Sequence, residues 1–318
     1  MQSRGLAGVS VAVAKNGSIL YSQGYGYANL ATCTPVQTST KFQIGSVTKQ
    51  FTAAAVLQLQ NLGKLNIDDS LSVYLSSYSF DSRITLRMLL TQTSELQDYL
   101  NFPIANSWIG GVSEATVLTQ IARARLIFTP GQYYAYSNSN YFILGSVIEA
   151  VSSQSYASYL ASNIFQPLGL SSTSYLQPDG AALGVGIVPD PSLFFSAGAL
   201  WSNVQDLATW DAALLSGKVI PLPLFDVMVT PSRVPNYPQG GPTDYAMGWV
   251  QDTEVGHPFI WHNGETYSYT SINGMFLDDG FSVAVLTNKA AREGTPFLGL
   301  EEQIMQAVCT TTATAADC

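Results

Sequence analysis

Only six lysines occur in 318 residues, and one of them, Lys49, follows Ser46 by three positions at the mouth of the apolar stretch Phe51 to Leu59. On a helix, positions i and i+3 share a face, so hydroxyl and amine can touch. A serine in the first turn also lies where unpaired backbone N–H groups and the helix dipole favour negative charge. That suits a nucleophile whose attack creates an oxyanion. Burial penalises an ammonium and lowers its pKa, which fits Lys49 to take a proton from Ser46. The same letters also describe a helix cap followed by a lysine that snorkels to solvent. About one S-x-x-K spacing is expected by chance in this composition.

Two more groups of residues could complete such a site. Tyr136-Ser137-Asn138 follows the Pro130-Gly131 turn and precedes an apolar helical pattern. A tyrosine beside an ammonium is expected to have its pKa lowered enough to act as a general base, and an asparagine can hold a substrate amide. Tyr27-Ala28-Asn29 carries the same letters, so the motif alone is weak. His262-Asn263-Gly264 lies in a strand-like stretch, where a glycine lets the backbone approach a substrate closely. Lys15-Asn16-Gly17 is set aside because it marks a hairpin tip and precedes the serine. A Ser-His-Asp triad is the competing chemistry. There is no G-x-S-x-G, and the only histidines are His257 and His262.

Elements that would position these groups are legible in the periodicity. Val9, Val11 and Val13 alternate, Asn16-Gly17 is a turn, and Ile19 onward returns, which predicts a hairpin. A helix is expected from about Ser46 to Leu62, stopped by Gly63. The stretches SRITLRMLLTQTS, SEATVLTQIARARL, SNYFILGSVIEAVSS and SYASYLASNIF carry apolar residues at helical spacing. TSINGMFL and FSVAVLTN read as strands around Asp278-Asp279-Gly280, and GLEEQIMQAV as a closing helix. Strands at both ends with helices between predict an α+β fold. In it, residues 1–65 and 240–318 build one antiparallel sheet region flanked by helices, and 66–239 form a mainly helical subdomain.

Hydrophobic residues make up 47% of the chain and charged residues 11%, the balance of an ordered globular protein. A net charge of −9 argues against a nucleic-acid partner. No apolar run is long enough to span a bilayer. The expected partner is a small-molecule or peptide substrate. Cys33, Cys309 and Cys318 have no metal-ligand spacing, so no metal site is expected, and the chemistry above needs no cofactor. A Cys309–Cys318 disulfide would suit an oxidising compartment, with three idle thiols as the alternative. A secreted or periplasmic location is expected, although no leader is legible ahead of the first strand.

In the order serine, tyrosine, histidine, the three motifs resemble the class C β-lactamase and DD-peptidase family of serine hydrolases. FQIGSVTKQFTAAAVLQLQNLGKLNIDDSLSVYL, ITLRMLLTQTSEL, FTPGQYYAYSNSNYFILGSVIEAVSS, SAGALWSNVQDLATW and YAMGWV resemble that family's blocks, in its order and over most of the chain. The resemblance implies a β-lactamase/transpeptidase-like fold and a two-step acyl-enzyme mechanism. Ser46 would be the nucleophile, and Lys49 and Tyr136 would share the proton. Asn138 would orient the acyl amide, and the backbone N–H groups of Ser46 and Glu265 would form the oxyanion hole.

Departures from the family bear on the substrate. Class C β-lactamases usually carry lysine where His262 stands, and His262 resembles instead certain DD-carboxypeptidases and D-amino-acid-specific peptidases. Protonated His262 is expected to hold a carboxylate, less so as pH rises. Amide or ester cleavage, with D-amino-acid or peptidoglycan-like peptides favoured, is therefore expected over efficient β-lactam hydrolysis. A carboxylesterase, a weak β-lactamase and a catalytically silent penicillin-binding sensor are the alternatives. Gln92 and Glu95 replace the histidine and glycine of a common H-T-S-G block. Glu95 would pair with a substrate ammonium if it faces the cleft, and is otherwise a solvated loop carboxylate.

Overall fold

The computed structural model describes residues 7–290 apart from 185, 239 and 255. Strands β1 (Gly8–Lys15) and β2 (Ser18–Asn29) form the expected hairpin. Asn16 and Gly17 at its tip have φ of 49° and 78°, the left-handed pair that a two-residue type I′ turn requires. After β3 (Thr34–Pro35), β4 (Phe42–Gln43) and β5 (Trp201–Ser202) come β6 (Val250–Glu254), β7 (His257–Glu265), β8 (Thr270–Phe276) and β9 (Phe281–Thr287). The main sheet has seven strands in the order β3-β2-β1-β9-β8-β7-β6, with every neighbouring pair antiparallel. Val9 lies opposite Thr287 and Lys15 opposite Phe281, so the N-terminal hairpin is completed by C-terminal strands, as their patterns predict.

Both faces of the central strands are buried; β1 and β9 are mostly apolar, while β8 also buries Thr270, Ser271 and Asn273. Val9, Val11 and Val13 cluster with Phe259, Ile272, Phe276 and Val283 on one face. Ala12, Ile260, Met275, Ala284 and Leu286 join the helices in the larger core on the other.

Five helices matter for the site: α1 (Thr48–Asn61), α2 (Leu86–Leu90), α3 (Glu114–Arg123), α4 (Asn138–Ser152) and α5 (Val204–Leu215). The first of them is buried along most of its length, including the polar Thr48, Lys49, Gln50 and Thr52 of its first turns. Phe51 stacks on Trp210 of α5 with centroids 4.0 Å apart, and full burial of a side chain that size is worth about 1.5–3 kcal/mol. Gly63 ends the helix as expected: its φ is 65°, and the Lys64 N–H donates to Leu59 O at 2.9 Å. The helix α2 is shorter than its apolar pattern suggests. Thr85 caps it by accepting from Met88 N–H, and the chain leaves the helical region at Gln92, whose φ is 59°. The expected helix near residue 300 and the Cys309–Cys318 pair lie outside the described residues. Cys33 is an exposed free thiol. Among the described residues no helix is long and apolar enough to cross a membrane.

Candidate active site

Ser46 does not begin α1 itself. It sits in a 3-10 turn, Gly45–Val47, that leads into the helix and packs on β7 and β8. Gly45 has φ of 50°, and a Cβ there would lie 2.8 Å from the Glu265 backbone nitrogen. A Cβ on Gly264 would come within 1.9 Å of Ile44 O. Glycine is thus required on both sides of this contact, which presses the serine turn against the end of β7. Ser271 Oγ fastens the pair by donating to Ile44 O at 2.7 Å. Beyond Trp261, β7 pairs only with β8, so the His262–Glu265 segment presents a free edge to the serine.

Lys49 is fully buried, and its Nζ meets three oxygens: Ser46 Oγ at 2.9 Å, Asn138 Oδ1 at 2.8 Å and Ala197 O at 2.8 Å. Burial pulls its pKa down to about 7, with the charge of Asp98 acting in the opposite direction. A neutral amine has two hydrogens, and the amide and carbonyl oxygens can only accept. Both hydrogens are therefore taken by Asn138 and Ala197, and the lone pair is left facing Ser46 Oγ. The snorkelling alternative is excluded by this burial.

Tyr136 OH donates to Ser46 Oγ at 3.0 Å from the opposite side, and its ring, 38% exposed, borders the cleft. Its pKa is not lowered as the motif suggests. Burial pushes it well above the ordinary tyrosine value, only partly countered by the hydrogen bond to Ser46. Desolvation of the phenolate is the largest cause, and the nearby Tyr134 and Asp98 add to it. The phenol keeps its proton, and Lys49 is the group left able to accept one.

The segment around residue 92 explains why Tyr136 and Asn138 stand where they do. Gln92 Oε1 accepts from the Ser137 N–H at 3.0 Å and from Asn140 Nδ2 at 2.5 Å, and Gln92 O accepts from the Ala135 N–H at 3.0 Å. Ser139 Oγ donates to Gln97 O at 2.6 Å and accepts from the Tyr99 N–H at 2.9 Å. The start of α4 is thereby stitched to residues 92–99. Within that segment, Asp98 Oδ2 accepts from Asn138 Nδ2 at 2.8 Å. Motif reasoning passed over Asp98, because only the fold brings it to Asn138, 40 positions along the chain.

Glu95 corrects both expectations held for it. It is 1% exposed rather than solvated, and its Oε1 accepts from the Tyr133 N–H at 3.0 Å while its O accepts from the Ile127 N–H at 3.0 Å. It holds the 127–133 loop, and burial raises its pKa.

His262 is buried, and its pKa is depressed to about 3 by desolvation first and by Lys49 second. Nδ1 lies 2.6 Å from Asn263 O, which can only accept, so Nδ1 carries the hydrogen. In the neutral ring Nε2 then accepts from Tyr245 OH at 3.1 Å. The expectation of a cationic His262 holding a carboxylate is therefore wrong: this ring is neutral and both its nitrogens are occupied. Asn263 and Glu265 are exposed along the same strand, and Gly264 is buried between them.

An antiparallel sheet flanked by helices, with a serine, a buried lysine and a tyrosine converging at the sheet edge, defines a β-lactamase/transpeptidase-like fold. The Beta-lactamase family model matches residues 1–301, and the chain belongs to that family of serine hydrolases. Penicillin-binding protein 4* of Bacillus subtilis (strain 168) is 27% identical over 309 residues, covering 88% of this chain and 68% of that protein. Protein flp of Staphylococcus aureus (strain N315) is 26% identical over 313 residues, covering 91% of this chain. The chain spans 61% of the length of Protein flp. Among solved structures, the octameric penicillin-binding protein homologue from Pyrococcus abyssi superimposes with a TM-score of 0.83 at 25% identity, covering 98% of this chain and 75% of that one. The D-amino acid amidase from Ochrobactrum anthropi SV3 shares the fold with a TM-score of 0.86 at 22% identity, covering 98% and 96% of the two chains.

Proposed function

We propose that this protein is a serine acyl-enzyme hydrolase that cleaves amide bonds, favouring D-amino-acid amides and peptidoglycan-like peptides. The observation that carries the reading is Ser46 Oγ held between the Lys49 amine at 2.9 Å and the Tyr136 phenol at 3.0 Å. Lys49 takes the Ser46 proton as Oγ bonds to the carbonyl carbon. The resulting oxyanion is met by the backbone N–H groups of Ser46 and Glu265, where loss of one donor costs about 3 kcal/mol. As the carbon–nitrogen bond breaks, Tyr136 gives its proton to the leaving amine and regains one from the Lys49 ammonium. Water then attacks the acyl-Ser46 ester by the same steps in reverse, releasing the acid. Asn138 keeps one amide hydrogen beyond that given to Asp98, and this hydrogen is free to meet a substrate carbonyl.

Charge supports the substrate preference. The side chain at the third motif is neutral His262, while Asp98 and Glu265 are carboxylates near the same cleft. A substrate carboxylate therefore lacks the cation it would pair with, whereas an aminoacyl substrate meets no like charge. Structures of a D-stereospecific amidohydrolase and a D-amino acid amidase share the fold, which lends the D-configuration its support. A carboxylesterase is the second reading, favoured by the same neutral His262. Weak β-lactam hydrolysis ranks below both, and the intact Ser46, Lys49 and Tyr136 argue against a silent sensor. A secreted or periplasmic site of action belongs with peptidoglycan-like substrates. Hydrolysis of D-amino-acid amides, p-nitrophenyl esters and a penicillin by wild type and Ser46→Ala tests the reading. Amide turnover lost in Ser46→Ala is expected; penicillin as the preferred substrate would contradict it.

A further inference from the structure

We infer that this protein pairs with a second copy of itself through the free edge of β2, joining two seven-stranded sheets into one. Beyond β1, the strand β2 has only the two-residue β3 as a neighbour, and that pairs with Tyr27 and Asn29 alone. Leu20 is skipped in the pairing with β1, where Tyr21 lies opposite Val13 and Ile19 opposite Ala14. A regular stretch from Tyr21 to Tyr25 is thereby left between this bulge and β3, with no strand beyond it among the described residues. The outward backbone groups of such an edge are a template for another strand.

Charge selects the occupant. Residues 16–40 carry no charged side chain, in a chain whose net charge is −9. Two copies repel one another over most of their surface, and here they can approach without like charges meeting. The opposite edge of the sheet, β6, carries Asp252 and Glu254, and charges of that kind keep an edge from pairing. The strand β2 has neither a charge nor a proline along its length.

The side chains along this edge are self-complementary. Tyr21, Gln23 and Tyr25 lie opposite Val13, Val11 and Val9, so they share the face on which those valines cluster. All three are exposed, the tyrosines by 46% and 41%. The stretch is symmetric about Gln23. In an antiparallel pairing about a two-fold axis normal to the sheet, Gln23 faces Gln23 of the second copy, and each Tyr21 faces the other's Tyr25. Facing aromatic pairs stabilise a cross-strand ladder. Five residues a side make a small interface, so the dimer dissociates at micromolar concentration. The serine turn packs on β7 and β8, toward the other end of the strand order, and pairing leaves both clefts free.

Sedimentation velocity from about 1 to about 300 µM, a range that brackets the dissociation of small interfaces, tests this. It is read on wild type, Gln23→Lys, Gln23→Glu and an equimolar mixture of the two variants. Wild type is expected to pass from monomer to dimer across the range. Each variant alone sets like charges directly opposite one another at the axis, and its dissociation constant is expected to rise about fivefold. The mixture sets opposite charges there and is expected to regain the dimer, a result that a folding defect in either variant would not produce. A wild type that stays monomeric throughout overturns the inference. So does a dimer that neither variant weakens, or a mixture that associates no better than its components.

Discussion

Asp98 accepts from Asn138 Nδ2 at 2.8 Å, and so the oxygen end of that amide is the end that meets Lys49, also at 2.8 Å. An amide can face a lysine with either end; here a carboxylate decides which. Asp98 also raises the pKa of Lys49 against the effect of burial. The two consequences can be separated by experiment.

Asp98→Asn removes the negative charge and leaves the Asn138 orientation unspecified. Losing a charge that favours the ammonium lowers the Lys49 pKa below about 7. The acid limb of the kcat/KM profile therefore moves to lower pH, while the plateau falls by about tenfold through lost positioning. A limb that stays in place or moves up would contradict the arrangement.

For the wild type, the active form of Lys49 is the amine, so kcat/KM is expected to rise with pH through about 7 and then level. Lys49→Ala should lose about 10²–10⁴-fold in kcat, the usual scale of a positioned base. A profile that falls through this range would assign the base elsewhere.

Tyr136→Phe keeps the ring and deletes only the hydroxyl that reaches Ser46. A drop of about 10²–10⁴-fold in kcat is expected, with Tm unchanged because the ring borders the cleft rather than the core. Unchanged kcat/KM would remove Tyr136 from the proton path.

His262 makes stability depend on pH in a defined direction. An unfolded chain protonates this ring near 6.5, whereas the native ring resists until about 3. The unfolded state thus binds the extra proton first, and stability falls as pH drops through that window by about 1.4 kcal/mol per pH unit. Denaturant titrations at several pH values should show a shallower slope for His262→Gln. An identical slope would mean that the ring titrates alike in both states.

What the sequence made legible follows the range of each interaction. The Asn16-Gly17 turn, the alternating valines and the Gly63 stop were readable because each is a local rule. The Ser46–Lys49 pair was readable because three residues on a helix bring two side chains together. That Lys49 would be buried followed from the apolar residues around it. Asp98 and Tyr245 were not legible as site residues, because their partners Asn138 and His262 lie 40 and 17 positions away and only the fold brings them together. Charge states failed for the same reason. Tyr136 was assigned a pKa from a single neighbour and His262 that of an ordinary imidazole, whereas desolvation is the first cause acting on both. Glu95 failed because its backbone and carboxylate are claimed by a loop more than thirty residues downstream.

The central claim is a covalent acyl group on Ser46, and intact mass tests it most directly. Wild type and Ser46→Ala would be exposed briefly to p-nitrophenyl acetate, quenched in acid, weighed and digested. The account predicts one acyl increment on wild type, mapped to the peptide containing Ser46, and none on Ser46→Ala. An increment retained in Ser46→Ala, or ester turnover by wild type with no trapped increment at any quench time, would contradict it.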